Sequence, residues 1–489
     1  MGDKPQSLQV VLFPLLAAGH MIPTLDIAKL FATNNVKTTI LTTPLNAPIF
    51  TKALQSTTYN NPSSLPMIDV EIVPFPSKEG GIPEGIENCD QISCNELSIK
   101  FFKATQLLQK SLEQVMEKYK PSCLVADLMY PFATDVAAKF NVPRLVFHGS
   151  SYFAFCVEHA LMKYEPQKSV SCDDEEFVVP ELPHEIRLTR TQLVAAVKEL
   201  GMEEWMKIYG RAMEAEERSY GIIVNSFLEL EPDYVDYYTK VMGKRAWHIG
   251  PVSLCNREKE AKFQRGKDSS IGEHECLKWL DSKKPKSVVY VCFGSIAEVS
   301  TLQLQEIARG LEASKQDFIW AVRRSDNDEV EKNEEWLPHE FEKRMEGKGL
   351  IIRGWAPQML ILDHEAIGAF VTHCGWNSTL EGISCGVPMV TWPVFAEQFY
   401  NEKLVTQVLK TGVGVGAKKW SRIAENVKSE DVKKAITKVM VGEEALEIRS
   451  RAKKMKELAR KAVEVGGSSY CDLNSLIQEL SSYNARIIA

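Results

Sequence analysis

The chain has 489 residues, 44% hydrophobic, 25% charged and 9% aromatic, and its 58 Lys and Arg against 65 Asp and Glu leave a net charge of −7. These proportions exclude disorder, collagen and coiled coil, and an acidic balance offers no basic field to nucleic acid or anionic lipid. One hydrophobic core stops growing near about 250 to 300 residues, so the length predicts two domains of about equal size.

The chain opens Met1-Gly2-Asp3-Lys4-Pro5-Gln6, with no apolar leader, and Gln6 stands where a myristoylation signal needs Ser or Thr. A β-branched run, Leu8 to Phe13, leads through Ala18-Gly19-His20 into a helical pattern that starts with Pro23 in its first turn, which puts His20 in a loop. The longest apolar run, Val10 to Ala18, is interrupted by Pro14 and is too short to span a bilayer. Further strands are predicted at Lys37–Leu41, Val70–Val73, Cys123–Ala126 and Arg144–Phe147, with helices between them. Asp127 directly follows one of these strands, where it can cap a helix over Met129–Phe140. Residues 256–272 are polar and charged without apolar period and read as a linker.

The second half repeats the opening. Ser287 to Cys292 runs into Phe293-Gly294-Ser295 and an amphipathic helix over Leu302–Ala313. Strands follow at Phe318–Val322, Leu350–Ile352, Ala369–Val371 and Met389–Trp392, then a long charged helix over Glu444–Val465 and a short final one near Leu473–Leu480. Strands alternating with helices imply parallel sheets, so the expected fold is two Rossmann-like, doubly wound α/β domains facing across a cleft, with ligands at the carboxyl ends of the strands. The expected division is 1–255, linker 256–272, 273–470, and a final helix over 471–489 packing back on the first domain. Eleven cysteines with no Cys-x-x-Cys pair read as reduced thiols in a cytosolic protein, which is expected to be a monomer.

Several motifs carry less than they promise. Gly382-Ile383-Ser384-Cys385-Gly386 matches a nucleophile elbow, but all nine histidines precede Ser384, which forbids the α/β-hydrolase order. Gly412-Val413-Gly414-Val415-Gly416 spaces its glycines wrongly for a dinucleotide fingerprint, and there is no P-loop. His339-Glu340 and His364-Glu365 do not continue to His-Glu-x-x-His, so no metal site is expected and both pairs read as surface.

His373-Cys374-Gly375-Trp376-Asn377-Ser378 is stronger, because it follows an apolar strand and leads into a helix. Asn377 and Ser378 then lie at a helix N-terminus whose free N–H groups favour phosphate, or simply cap it. Trp355, Trp376 and Trp392 each flank a strand end nearby, where a large aromatic face suits a nucleotide base. The 44 residues from Trp355 to Gln398, with Trp355-Ala356-Pro357-Gln358, the His373 to Ser378 run, Glu381-Gly382, Pro388 and Glu397-Gln398, resemble the donor-binding signature of plant UDP-sugar-dependent glycosyltransferases of glycosyltransferase family 1. Gly19-His20, Asp127 and Phe293-Gly294-Ser295 agree in order over the rest of the chain.

The resemblance implies the GT-B fold, a UDP-sugar co-substrate and no cofactor. It implies that Trp355 stacks on uracil, Ala356 reads its edge through the backbone, and Gln358 and Glu381 hold the ribose. His373, Asn377, Ser378 and Ser295, beside Gly19, are implied to hold the diphosphate, and Trp376, Glu397 and Gln398 the sugar hydroxyls. Many members end the signature in Asp-Gln where this chain has Glu397-Gln398, and a terminal Gln goes with glucose more often than galactose. His20 is implied to be the general base, since a free imidazole titrates near pH ~6.5 and can take a proton from an acceptor hydroxyl, with Asp127 on its other ring nitrogen. The acceptor oxygen then inverts an α-linked donor to a β-glucoside without a metal, His373 and the helix end neutralising the diphosphate.

Leu15, Leu16, Met21, Phe147, Tyr152, Phe153 and Phe155 are candidate walls for an acceptor that is a flavonoid, coumarin or other phenolic. Triterpenoid or steroid acceptors, other sugars (galactose, xylose, glucuronate) and a non-catalytic UDP-sugar binder are the competing readings.

Overall fold

The computed structural model describes residues 8–60, 67–92, 94–193, 202–323, 336–424 and 426–488, and Met1–Gln6, read above for a leader, lies outside them. In chain order its strands are β1 Gln9–Phe13, β2 Lys37–Thr42, β3 Ile68–Ile72, β4 Cys123–Asp127, β5 Arg144–Phe147, β6 Phe177–Val179, β7 Ile186–Leu188, β8 Gly221–Val224 and β9 Ala246–His248. The second half follows with β10 Val288–Cys292, β11 Glu298–Val299, β12 Asp317–Val322, β13 Gly349–Arg353, β14 Ile367–Thr372, β15 Met389–Thr391, β16 Gly412–Gly414 and β17 Ile423–Ala424.

Two large sheets carry the fold. The first has the order β3-β2-β1-β4-β5-β8-β9 and the second β13-β12-β10-β14-β15-β16. Neighbouring strands in both are parallel, as in β1 against β2 and β4, or β10 against β12 and β14. All five residues of β4 and all six of β14 are buried, because helices cover both faces of a parallel sheet and the strands must be apolar throughout. Continuous Val, Ile and Leu runs therefore marked these strands in the sequence. In the two large sheets the strands that escaped prediction are β8, β9 and β16, of three or four residues each.

The first helix departs from expectation. It runs Ala18–Thr33, so His20 lies in its first turn rather than in a loop, and Pro23 is interior. Pro23 has no N–H to give to the carbonyl one turn back, which leaves the Gly19 oxygen open to another donor. The final helix is also longer than expected, Ser468–Ile488, and Leu473, Leu476 and Leu480 bury themselves in one cluster with Val10, Leu12 and Trp247 of the first sheet. Burying each such leucine contributes about 1.5 to 3 kcal/mol, which is enough to fasten the chain end to the first sheet. The linker is not featureless, since Lys259–Phe263 forms a helical turn and Arg265 beyond it is buried between the two halves.

No described helix is long and apolar enough to cross a membrane. β1 and β10 both end at one cavity of about 1110 Å³, lined from both sheets and from the linker.

Candidate active site

Just beyond β1, the first turn of helix Ala18–Thr33 turns His20 into the cavity, and β4 ends on Asp127 directly beside it. The two residues are 107 positions apart in the chain, yet His20 Nδ1 lies 2.6 Å from Asp127 Oδ2. Asp127 is 1% exposed and His20 27%, so the carboxylate is held inside while the imidazole meets the cavity. Asp127 Oδ1 accepts from the Met129 backbone N–H at 3.0 Å, and Arg144 donates to the Asp127 carbonyl at 2.8 Å. The next helix begins only at Phe132 after Pro131, so Asp127 tightens a turn and orients His20 but does not cap that helix. Burial pulls the His20 pKa down, but the Asp127 charge and hydrogen bond, helped by Glu397 and Asp90, raise it above 6.5 on balance.

Across the cleft, β14 feeds helix Trp376–Cys385 through Gly375, which is the N-cap, with no side chain capping the helix. Asn377 and Ser378 are therefore second and third in the helix and not its cap, and the N–H groups of its first turn are oriented for an anion. Asn377 Nδ2 donates to the Gly19 oxygen at 2.5 Å, the carbonyl that Pro23 left unpaired. This bond joins the two halves at the site.

His373 sits in a slot between two glycines, since a Cβ at either Gly294 or Gly375 would come within 2.5 Å of its ring. Gly294 also has φ +74, so a side chain there would be strained as well as crowded. The His373 Nδ1 atom is buried with no hydrogen-bond partner among the described residues, the mark of a group oriented for a ligand. Burial lowers the His373 pKa to about 4. In the free protein the imidazole is therefore uncharged at neutral pH, and the helix end beside it supplies N–H groups oriented for an anion.

Trp355 follows β13 and lines the cavity. The other two tryptophans do not present their rings in that way. The Trp376 indole N–H is taken by the Asn225 oxygen at 2.8 Å and the residue is buried, and Trp392 is core, edge-on to Phe293. Gln358 Nε2 donates both to Ser378 Oγ at 3.0 Å and to Glu381 Oε2 at 2.8 Å, while the Ala356 oxygen accepts from the Gln358 N–H. Glu397 and Gln398 open a short helix, and Gln398 Oε1 accepts from the Val394 and Phe395 N–H groups, which leaves its amide nitrogen for other partners. Burial raises the Glu397 pKa. Ser295 Oγ donates to Asp90 Oδ1 at 3.2 Å.

Sequence reasoning missed three residues here. Asp90 lies in a single 3-10 turn, Cys89–Gln91, and Arg265 in a loop, neither within a recognisable motif, and Glu158, which lines the cavity and accepts from the Tyr209 hydroxyl at 2.7 Å, looks like any helical glutamate. Of the seven proposed acceptor walls, Leu15 and Phe155 line the cavity. Leu16, Met21, Phe147, Tyr152 and Phe153 face the core, where residues of a buried strand or its following helix usually go, and Ile92, Ile99, Phe102 and Ile208 supply apolar wall instead.

A family profile described as UDP-glucoronosyl and UDP-glucosyl transferase matches residues 259–453. The chain is 58% identical to scopoletin glucosyltransferase of Nicotiana tabacum, over 98% of this chain and 99% of that one. It is 53% identical to UDP-glucose flavonoid 3-O-glucosyltransferase 7 of Fragaria ananassa, over 97% and 96%. Among solved structures it resembles Glycyrrhiza uralensis UGT73P12 complexed with glycyrrhetinic acid 3-O-monoglucuronide, with a TM-score of 0.90, 39% identity and coverage of 99% and 97%.

Proposed function

The chain belongs to the plant UDP-glycosyltransferases of glycosyltransferase family 1, and from that membership we propose that it transfers glucose from UDP-glucose to a hydroxyl of a small phenolic, such as a coumarin, flavonoid or anthocyanin. The fold is GT-B, and the co-substrate is the UDP-sugar, with no cofactor. The observation that carries the mechanism is the His20–Asp127 pair, 2.6 Å apart and opening on the cavity that Trp355 and His373 also line.

In this reading residues 1–255 bind the acceptor and 273–470 the donor, with 256–272 between them and the helix within 471–489 returning to the first domain. Asp127 holds the proton of neutral His20 on Nδ1 and leaves Nε2 as the base. As the acceptor oxygen attacks the anomeric carbon, its proton passes to Nε2, the new carbon–oxygen bond forms, and the bond to the diphosphate breaks with its electron pair leaving on UDP. Attack from the face opposite UDP makes an α-linked donor a β-glucoside. Asp127 stabilises the imidazolium formed on the way. The N–H groups of helix Trp376–Cys385, with His373, Asn377, Ser378 and Ser295, meet the charge on the departing diphosphate, so the reaction proceeds without a metal. Trp355 and the Ala356 backbone bind uracil, Gln358 and Glu381 the ribose, and Trp376, Glu397 and Gln398 the sugar. The enzyme works as a cytoplasmic monomer.

The test is a mass-spectrometric assay of the purified protein on a panel of phenolics and triterpenoids, with UDP-glucose, UDP-galactose and UDP-glucuronate offered separately in EDTA. A product heavier by one hexose from a phenolic and UDP-glucose is expected. Transfer only to triterpenoids, only from another donor, or only when a metal is restored would overturn the corresponding part of the proposal.

A further inference from the structure

The linker holds two of the residues assigned above to the donor. Trp355 N–H donates to Ser270 Oγ at 3.1 Å, and Ser270 N–H donates to the Trp355 oxygen at 2.8 Å. Gly266, at φ +107, lies so close to the Trp355 indole that a Cβ there would come within 2.5 Å of the ring. Between these contacts and the first domain stands Arg265. Its Nε donates to Asp26 Oδ2 at 2.8 Å and its Nη1 to Glu381 Oε1 at 2.5 Å. All three side chains are buried, at 8% exposure for Arg265, 1% for Asp26 and 5% for Glu381. Asp26 is fixed in turn, because its other oxygen accepts from Asn256 Nδ2 at 2.7 Å.

We propose that Arg265 is a positioning residue for the donor, tying Glu381 through Asp26 to the first domain so that the Glu381 carboxylate keeps a fixed orientation toward the ribose hydroxyls. The proposal rests on the reading of Glu381 as the ribose ligand. Each carboxylate oxygen offers two acceptor directions. Arg265 takes one on Oε1 and Gln358 takes one on Oε2, which leaves one on each oxygen, a pattern suited to two vicinal hydroxyls. A guanidinium can satisfy two carboxylates at once in a rigid fork, which a single ammonium matches poorly. Because Asp26 comes from the first helix, donor affinity depends on a residue of the acceptor-side domain that touches no part of the donor.

The experiment is calorimetric binding of UDP and of 2′,3′-dideoxy-UDP to the full-length protein and to Arg265→Gln, Arg265→Lys, Asp26→Asn and Glu381→Gln, with steady-state kinetics on the same proteins. Wild type is expected to favour UDP over the dideoxy analogue. In Arg265→Gln that preference falls by about tenfold, the size of one lost charge-assisted bond, with dideoxy-UDP affinity unchanged. Asp26→Asn shifts it the same way, and Arg265→Lys recovers part of it. The UDP-glucose KM rises while kcat and the acceptor KM stay within about twofold, since an interaction equal in ground and transition states appears in KM alone. If Glu381→Gln loses the preference but Arg265→Gln and Asp26→Asn, melting like wild type, keep it, the positioning role is wrong and the ribose assignment stands. If Glu381→Gln keeps it, the ribose assignment itself fails. Should Arg265→Gln not fold, Asp26→Asn decides by the same ratio.

Discussion

Replacing Asp127 with Asn removes the charge beside His20 while keeping the shape of the side chain. In the native protein the carboxylate lies 2.6 Å from His20 Nδ1 at 1% exposure, so the bond is charge-assisted and becomes an ion pair when the imidazole is protonated. A hydrogen bond to a charged group is worth about 1.5 to 3 kcal/mol, and losing it where the imidazolium develops slows transfer about ten- to a hundredfold. An Asn amide can also donate to Nδ1 and drive the proton to Nε2, which takes the base away and pushes the loss toward the upper figure. The pH dependence has a definite sign. The active base is neutral His20, and the native pKa is raised above 6.5 by Asp127 against the opposing effect of burial. Activity therefore falls as pH drops through that raised value. Without the carboxylate the His20 pKa decreases, so the acid limb moves to lower pH even as the plateau drops. The assay is kcat/KM for a phenolic acceptor from about pH 5 to about pH 10, which reports the free-enzyme base. A plateau within about twofold of wild type together with an unmoved acid limb would refute the assignment of Asp127, and leave it only the Met129 turn contact.

His20→Ala is expected to abolish glucosyl transfer while calorimetric UDP affinity stays within about threefold, because most proposed donor contacts come from the other half; equal loss of both would remove His20 from the role of base. Gln398→His breaks the acceptor that holds the Val394 and Phe395 N–H groups, and is expected to raise the ratio of UDP-galactose to UDP-glucose turnover; an unchanged ratio means Gln398 does not read the sugar. Leu476→Ala, at a fully buried position of the final helix, is expected to cost about 2 to 5 kcal/mol in denaturant unfolding, and a cost below about 1 kcal/mol would show that the helix is not fastened to the first sheet.

The parts of this protein that could be read from the chain are those written within a few dozen consecutive residues. Strands buried on both faces of a parallel sheet must be apolar throughout, so β1, β4, β10 and β14 stood out as runs of Val, Ile and Leu. The stretch from Trp355 to Gln398 was legible for a similar reason, because a strand, its glycine turn and the helix N-terminus that follows form one continuous unit. Elements whose form depends on distant neighbours were not. The short strands β8, β9 and β16 exist by pairing at or next to sheet edges that other strands provide. Pro23 looked like a helix start because local preference puts proline in a first turn; inside the helix, the Gly19 oxygen it leaves unpaired accepts from Asn377, 358 residues away. The three tryptophans were alike in sequence, and packing alone set Trp355 at the cavity, turned the Trp376 indole to Asn225 and sent Trp392 into the core. Arg265 is the clearest case. In a polar linker it is one more charged residue, and only the approach of two domains surrounds it with Asp26 and Glu381, 239 and 116 positions away. Periodicity and turn chemistry are local and survive in a linear reading, whereas a buried ion pair exists only once the fold has removed both partners from water.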